Sequence, residues 1–101
     1  WCEPCKLELP LVERWAVLHP RVTVVPVDVA EPRMLASSFA RKYDLRKVAL
    51  DPNAASQALF SVSGLPTVIV IDRFGNVRAK WEGLNPAIGL AMSHAEAALA
   101  R

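Results

Sequence analysis

A layered α/β domain is the fold class that the sequence predicts, and three observations predict it. Segments with helical apolar spacing alternate with short β-branched runs along the 101 residues. Apolar residues make up 52% of the chain, enough to bury a real core in one domain of this length. The elements follow in the order helix, strand, helix, short strand, helix, hairpin, helix, the pattern of helices layered on a sheet.

From Cys2 to Leu18 the apolar residues Leu7, Leu11, Trp15 and Leu18 recur at spacings of 4, 4 and 3, which predicts a helix with one buried stripe. Pro10 removes one backbone donor and predicts a kink near the first third. Arg21 to Val29 is β-branched and predicts a strand, with Pro26 at a bulge or an unpaired side. Glu31 to Leu45 predicts a second helix, with Pro32 near its first turn and Leu35, Phe39 and Tyr43 four apart. Val48 to Leu50 is a brief strand ended by the turn residues Asp51-Pro52-Asn53. A short helix over Ala54 to Val62 is expected to bury Ala55, Leu59 and Val62.

Gly64 then breaks the chain before Leu65-Pro66. Thr67 to Ile71 predicts a strand covered on both faces, and Arg73-Phe74-Gly75-Asn76 a tight reversal. In Val77 to Glu82 the residues Val77, Ala79 and Trp81 alternate with charges, which predicts a half-exposed antiparallel strand with Trp81 inward. Asn85-Pro86 suits the cap and first turn of a last helix, whose buried face is expected at Ile88, Met92, Ala95 and Leu99.

Charge excludes some functions. The formal net charge is +2, and no basic stripe interleaves with aromatics, so a nucleic-acid footprint is absent. The longest nearly uncharged stretch, Val48 to Ile71, is broken by Asp51, Pro52, Gly64 and Pro66 and predicts no membrane span. No internal repeat or low-complexity linker occurs.

Chemistry concentrates at the start. Trp1-Cys2-Glu3-Pro4-Cys5 holds the only two cysteines. Two thiols two residues apart, at the first turn of a predicted helix, can close a small disulfide and reopen it. So short a loop contributes little as a staple, which points to a redox pair. The bland alternatives are an incidental pair or half of a zinc site. Zinc usually takes four ligands, no second cysteine pair exists, and neither His19 nor His94 sits at ligand spacing. A Cu(I)-carrying module using the same soft thiolates stays open as a different class.

Trp1-Cys2-Glu3-Pro4-Cys5, Pro10 in the same helix, and Gly64-Leu65-Pro66-Thr67 before a buried strand together resemble the active-site signature of the thioredoxin-like superfamily. The resemblance covers essentially the whole chain. It is closer to the extracytoplasmic reductases of the TlpA, ResA and CcmG (DsbE) type, which assist cytochrome c maturation. Two features suggest that branch: a helix-and-strand unit inserted at about Glu31 to Leu50, and a Cys-Glu-Pro-Cys dithiol followed by Glu8, like the acidic site of these reductases. The implied fold is a mixed β-sheet flanked by helices on both faces. In that fold a central strand runs into the Trp-Cys motif, so the chain is expected to be a thioredoxin-like domain truncated at its N-terminus.

The resemblance implies roles. Cys2, at the helix N-cap, is expected to be exposed and to attack a partner's disulfide; Cys5, more buried, then resolves the mixed disulfide. Pro4 fixes the backbone between the sulfurs, and Trp1 shoulders the site. Glu3 and Glu8 disfavour a nearby thiolate and make the pair more reducing. Pro66 is expected to be cis and packed on the dithiol, with the backbone of Leu65 open to a bound peptide. No cofactor and no metal are implied. The expected partners are a protein disulfide, with an apocytochrome c favoured, and an upstream thiol reductant. The expected place is extracytoplasmic, in the bacterial periplasm or at the outer face of the cytoplasmic membrane, with an anchor outside this sequence as one option. A general thioredoxin-like reductase and a copper-centre assembly reductase are the enzymatic alternatives.

Other residues carry blander expectations. Glu8 is alternatively a solvated helix residue, Trp15 and Trp81 are core, and His19 and His94 are structural or solvent-facing. Asp28 caps a turn, and Arg41-Lys42 and Arg46-Lys47 are solvated.

Overall fold

The first helix starts where a side chain satisfies its leading amide. In the computed structural model, which describes residues 2–29, 41, 49–51 and 53–100, helix α1 spans Glu3–Leu18 with Cys2 as its N-cap. The Cys5 N–H donates to the Cys2 sulfur at 3.3 Å, occupying one of the amides that a helix start leaves without a partner. Pro4 sits in the first turn, where a missing N–H is harmless, and the helix continues through Pro10. The expectations for Trp1, Pro32, Leu35, Phe39, Tyr43, Lys42, Arg46, Lys47 and Pro52, and for the Asp28 side chain, lie outside the described residues. Arg41 is helical and exposed.

The buried face of α1 is not the one the leucines suggest. Leu7 is 64% exposed and Leu18 70% exposed, whereas Glu8, Val12 and Trp15 are buried. Of the expected stripe Trp15 is buried and Leu11 half-buried, while Glu8 and Val12, one residue round from Leu7 and Leu11, complete the buried face. The last helix, α3, spans Ile88–Leu99. Trp15 Nε1 donates to Ser93 Oγ at 2.9 Å, and the His19 ring stacks on Trp15 with centroids 4.0 Å apart. His19 Nδ1 meets Glu96 Oε1 at 2.7 Å, so the imidazole is structural. Ile88 is fully buried and Met92 nearly so, on the face expected of them. Removing an Ile side chain from water is worth about 2 kcal/mol. Ahead of α3, the Asn85 side chain accepts the Ala87 N–H at 2.9 Å and shapes the turn into the helix.

Strands β3 (Thr67–Ile71) and β4 (Val77–Glu82) form an antiparallel hairpin in the same compact unit, residues 1–22 with 64–101. Asp72 organises its turn, accepting the Phe74 and Asn76 N–H groups at 2.9 and 3.0 Å, and Gly75 takes φ +85°. Val68 pairs with Trp81 and Val70 with Ala79. The register then shifts between Val70 and Ile71, so Val77 departs from the alternation and is exposed instead of inward. Trp81 is half-buried rather than core. The double cover expected for β3 is also absent among the described residues. Val68, Ile69 and Val70 are half-buried and Ile71 exposed, because the only ladder described is that with β4.

The second compact unit, residues 23–63, holds a parallel pair, β1 (Val27–Val29) and β2 (Ala49–Asp51), and a short helix α2 (Ala55–Leu59). The strand expected from Arg21 is confined to its last three residues. Pro26, which cannot donate, enters the pairing through its carbonyl, accepting the Ala49 N–H at 2.8 Å. Asp51 caps α2 by accepting the Ala55 and Ser56 N–H groups at 2.9 and 2.8 Å and the Ser56 hydroxyl. The buried face expected of this helix is not seen: Ala55 and Leu59 are exposed and Val62 is half-buried outside it. At five residues, α2 is one and a half turns and has no room for a continuous stripe.

Candidate active site

Cys2 and Cys5 are joined, with Cα atoms 5.2 Å apart across a single helical turn. Both are half-buried, so the expected contrast of an exposed Cys2 and a more deeply buried Cys5 is not seen. Position separates them instead. Cys2 has extended backbone and lies outside the helix at its positive end, whereas Cys5 is held within the first turn. A sulfur that receives an amide at a helix N-terminus is stabilised as a thiolate once the bond opens. Among the described residues no cluster of three or more His, Cys, Asp or Glu side chains could hold a metal.

The two acidic residues differ sharply. Glu3 is exposed and pairs with Lys6 at 2.9 Å, so part of its charge is neutralised locally. Glu8 is buried to 2% exposure, which overturns the solvated reading. Its Oε1 accepts the Asn85 N–H at 2.8 Å. Burial pushes the Glu8 carboxyl above the ordinary carboxylate range, and the Asn85 bond only partly opposes it.

The Leu65–Pro66 peptide is cis, and Pro66 is buried. Its carbonyl accepts the Gly83 N–H at 2.8 Å, and Thr67 Oγ1 donates to the Gly64 carbonyl at 2.6 Å. Leu65 is half-buried and Pro4 exposed. Sequence reasoning missed three supporting groups: Lys6, Gly83 and Asn85. Lys6 was visible as the basic residue three after Glu3 and four after Cys2. Gly83 and Asn85 act through backbone amides, which every residue but proline carries, so no side-chain signal marks them.

The chain is similar to proteins named for thiol–disulfide exchange. ResA of Bacillus cereus, named a thiol-disulfide oxidoreductase, is 33% identical over 86 residues, covering 79% of this chain and 48% of the relative. The chain spans about half the length of the curated relatives it matches. A chain assigned as thiol:disulfide interchange protein DsbE from Chlorobium tepidum superposes with a TM-score of 0.87 at 28% identity, over 98% of this chain and 72% of that one. MTB DsbF, solved in mixed oxidised and reduced forms, gives 0.83 at 28% identity, over 98% and 73%. No protein-family model matches. The backbone is a mixed α/β fold of the thioredoxin-like kind.

Proposed function

We propose that this chain, a thioredoxin-like protein of the TlpA, ResA and CcmG type, is a thiol–disulfide oxidoreductase that reduces protein disulfides through Cys2 and Cys5. The observation that carries the reading is the Cys2–Cys5 bond at the start of α1, with the Cys2 sulfur receiving the Cys5 amide. In the reduced chain the Cys2 thiolate attacks a partner's disulfide, forming a mixed disulfide and releasing one partner sulfur as a thiolate. Cys5 loses its proton and attacks the Cys2 sulfur, which releases the second partner sulfur. Two electrons pass to the partner, and the Cys2–Cys5 bond is restored. An upstream dithiol reverses the cycle by the same exchange.

Glu8 and Glu3 make the pair reducing in this reading, with Lys6 offsetting part of the Glu3 charge. Trp1, Pro4, Leu65 and cis Pro66 frame the approaching peptide. An apocytochrome c disulfide is the favoured substrate and the outer side of the cytoplasmic membrane the favoured place, both by family resemblance. No helix among the described residues is long and apolar enough to cross a membrane.

The test is reduction of insulin and of an apocytochrome disulfide, with turnover expected for the chain and abolished by Cys2→Ser. A glutathione-equilibrated potential near the oxidising end for this fold, roughly −120 mV, would contradict a reductant. Tight stoichiometric Cu(I) binding without any reductase turnover would replace the proposal with a metal carrier.

A further inference from the structure

The first turn carries a contest for one cation. Among residues 2–10 the single basic side chain is Lys6. Its ammonium lies 2.9 Å from the Glu3 carboxylate while the cysteines are joined and neutral. Its backbone N–H closes the first turn on the Cys2 carbonyl at 3.3 Å, which fixes Lys6 one helical turn beyond Cys2. Residues four apart share a face of a helix, so the flexible lysine stem serves the Cys2 sulfur as readily as the Glu3 carboxylate. The other nearby acid, Glu8, is buried and committed to the Asn85 amide.

We infer that Lys6 is a redox-linked counter-ion, held by Glu3 in the disulfide state and shared with the Cys2 thiolate once the bond opens. The inference rests on the dithiol function proposed above. Reduction by a partner dithiol moves two electrons and two protons onto the cysteines and oxidises that partner to its disulfide. When Cys2 then releases its proton to water, a second anion stands within one turn of Lys6. Glu3 and the thiolate compete from that moment, and Glu3 acts on the dithiol mainly by withholding Lys6. Lys6 is thus a positioning residue for charge, and its influence weakens with added salt because the pair faces solvent.

The test is a double-substitution cycle read by glutathione equilibration, at a pH where the thiolate is populated. Lys6→Met should lower the equilibrium constant for reduction by about two- to fourfold, the scale of an exposed ion pair, and Lys6→Arg should restore it. Glu3→Gln should raise the constant, and by more with Lys6 present than in the Lys6→Met chain. The Lys6→Met effect should shrink as salt is added, because the competition takes place at a solvent-facing pair. Equal Glu3→Gln effects in both backgrounds, or a Lys6→Met effect indifferent to salt, would overturn the inference and leave the dithiol function intact. Absence of reversible exchange in the unsubstituted chain would instead remove the function itself.

Discussion

The two ends of α1 are built on opposite plans. The first turn is bonded between near neighbours in sequence: Cys5 to Cys2, Lys6 to Glu3 and Lys6 to the Cys2 carbonyl. From Glu8 onward the contacts reach 77 or 78 residues along the chain, to Asn85, Ser93 and Glu96. One end carries the reacting bond, and the other ties the helix to residues far along the chain. The comparison teaches that reactivity and anchorage can share one helix when each occupies its own end.

The largest effect should come from breaking the anchored end. Trp15→Ala removes a buried indole and its bond to Ser93, and should destabilise the fold by about 3 kcal/mol or more in denaturant titrations. If the two ends are separate, the glutathione equilibrium of the molecules that stay folded should not change. A potential that moved with Trp15 would join what the structure separates.

A smaller effect tests the boundary residue, Glu8. A carboxyl whose pKa is raised on folding binds its proton more tightly in the folded chain. Its contribution is therefore full below the ordinary carboxylate range and is lost as pH rises through the folded value. Glu8→Gln keeps an oxygen for the Asn85 amide and removes the charge. Relative to the unsubstituted chain it should gain stability as pH rises from acid to neutral. Asp51 and Asp72, held low by bonds from Ser56 and from Asn76, slope the other way but cancel in that difference. Parallel stability profiles for the two chains would show that burial of Glu8 does not set its charge.

The smallest expected change sharpens the anchor. A Cβ at Gly89 would meet Trp15 Cδ1 at 3.6 Å, an ordinary contact. Gly89→Ala should therefore stabilise by about 0.5 kcal/mol through the unfolded chain, seen as a slightly raised Tm.

The same division explains what could be read beforehand. The hairpin, the last helix and the Cys2–Cys5 pair were legible because each is written locally, in alternation, apolar spacing or a two-residue gap, although the last helix is capped at Ala87 and not at the expected Asn85. The face of α1 was legible only at Trp15, since Leu7, Leu11 and Leu18 satisfy helical spacing with it as well as Glu8 and Val12 do. Only contact with Ser93, Glu96 and Asn85 decides between them. Strand β1 fell short of Arg21 because β propensity needs a partner strand to become a ladder. The site's sulfurs were visible, but the burial that distinguishes Glu8 from Glu3 is set by residues far along the chain.

The stacked rings at the anchored end give the molecule an optical gauge. Protonated imidazole quenches the emission of an indole lying against it, and here the two planes are only 12° apart. Trp15's share of the emission therefore reports on that stack. Both rings belong to α1 and its C-cap, so the signal follows fraying of that helix end and needs no label.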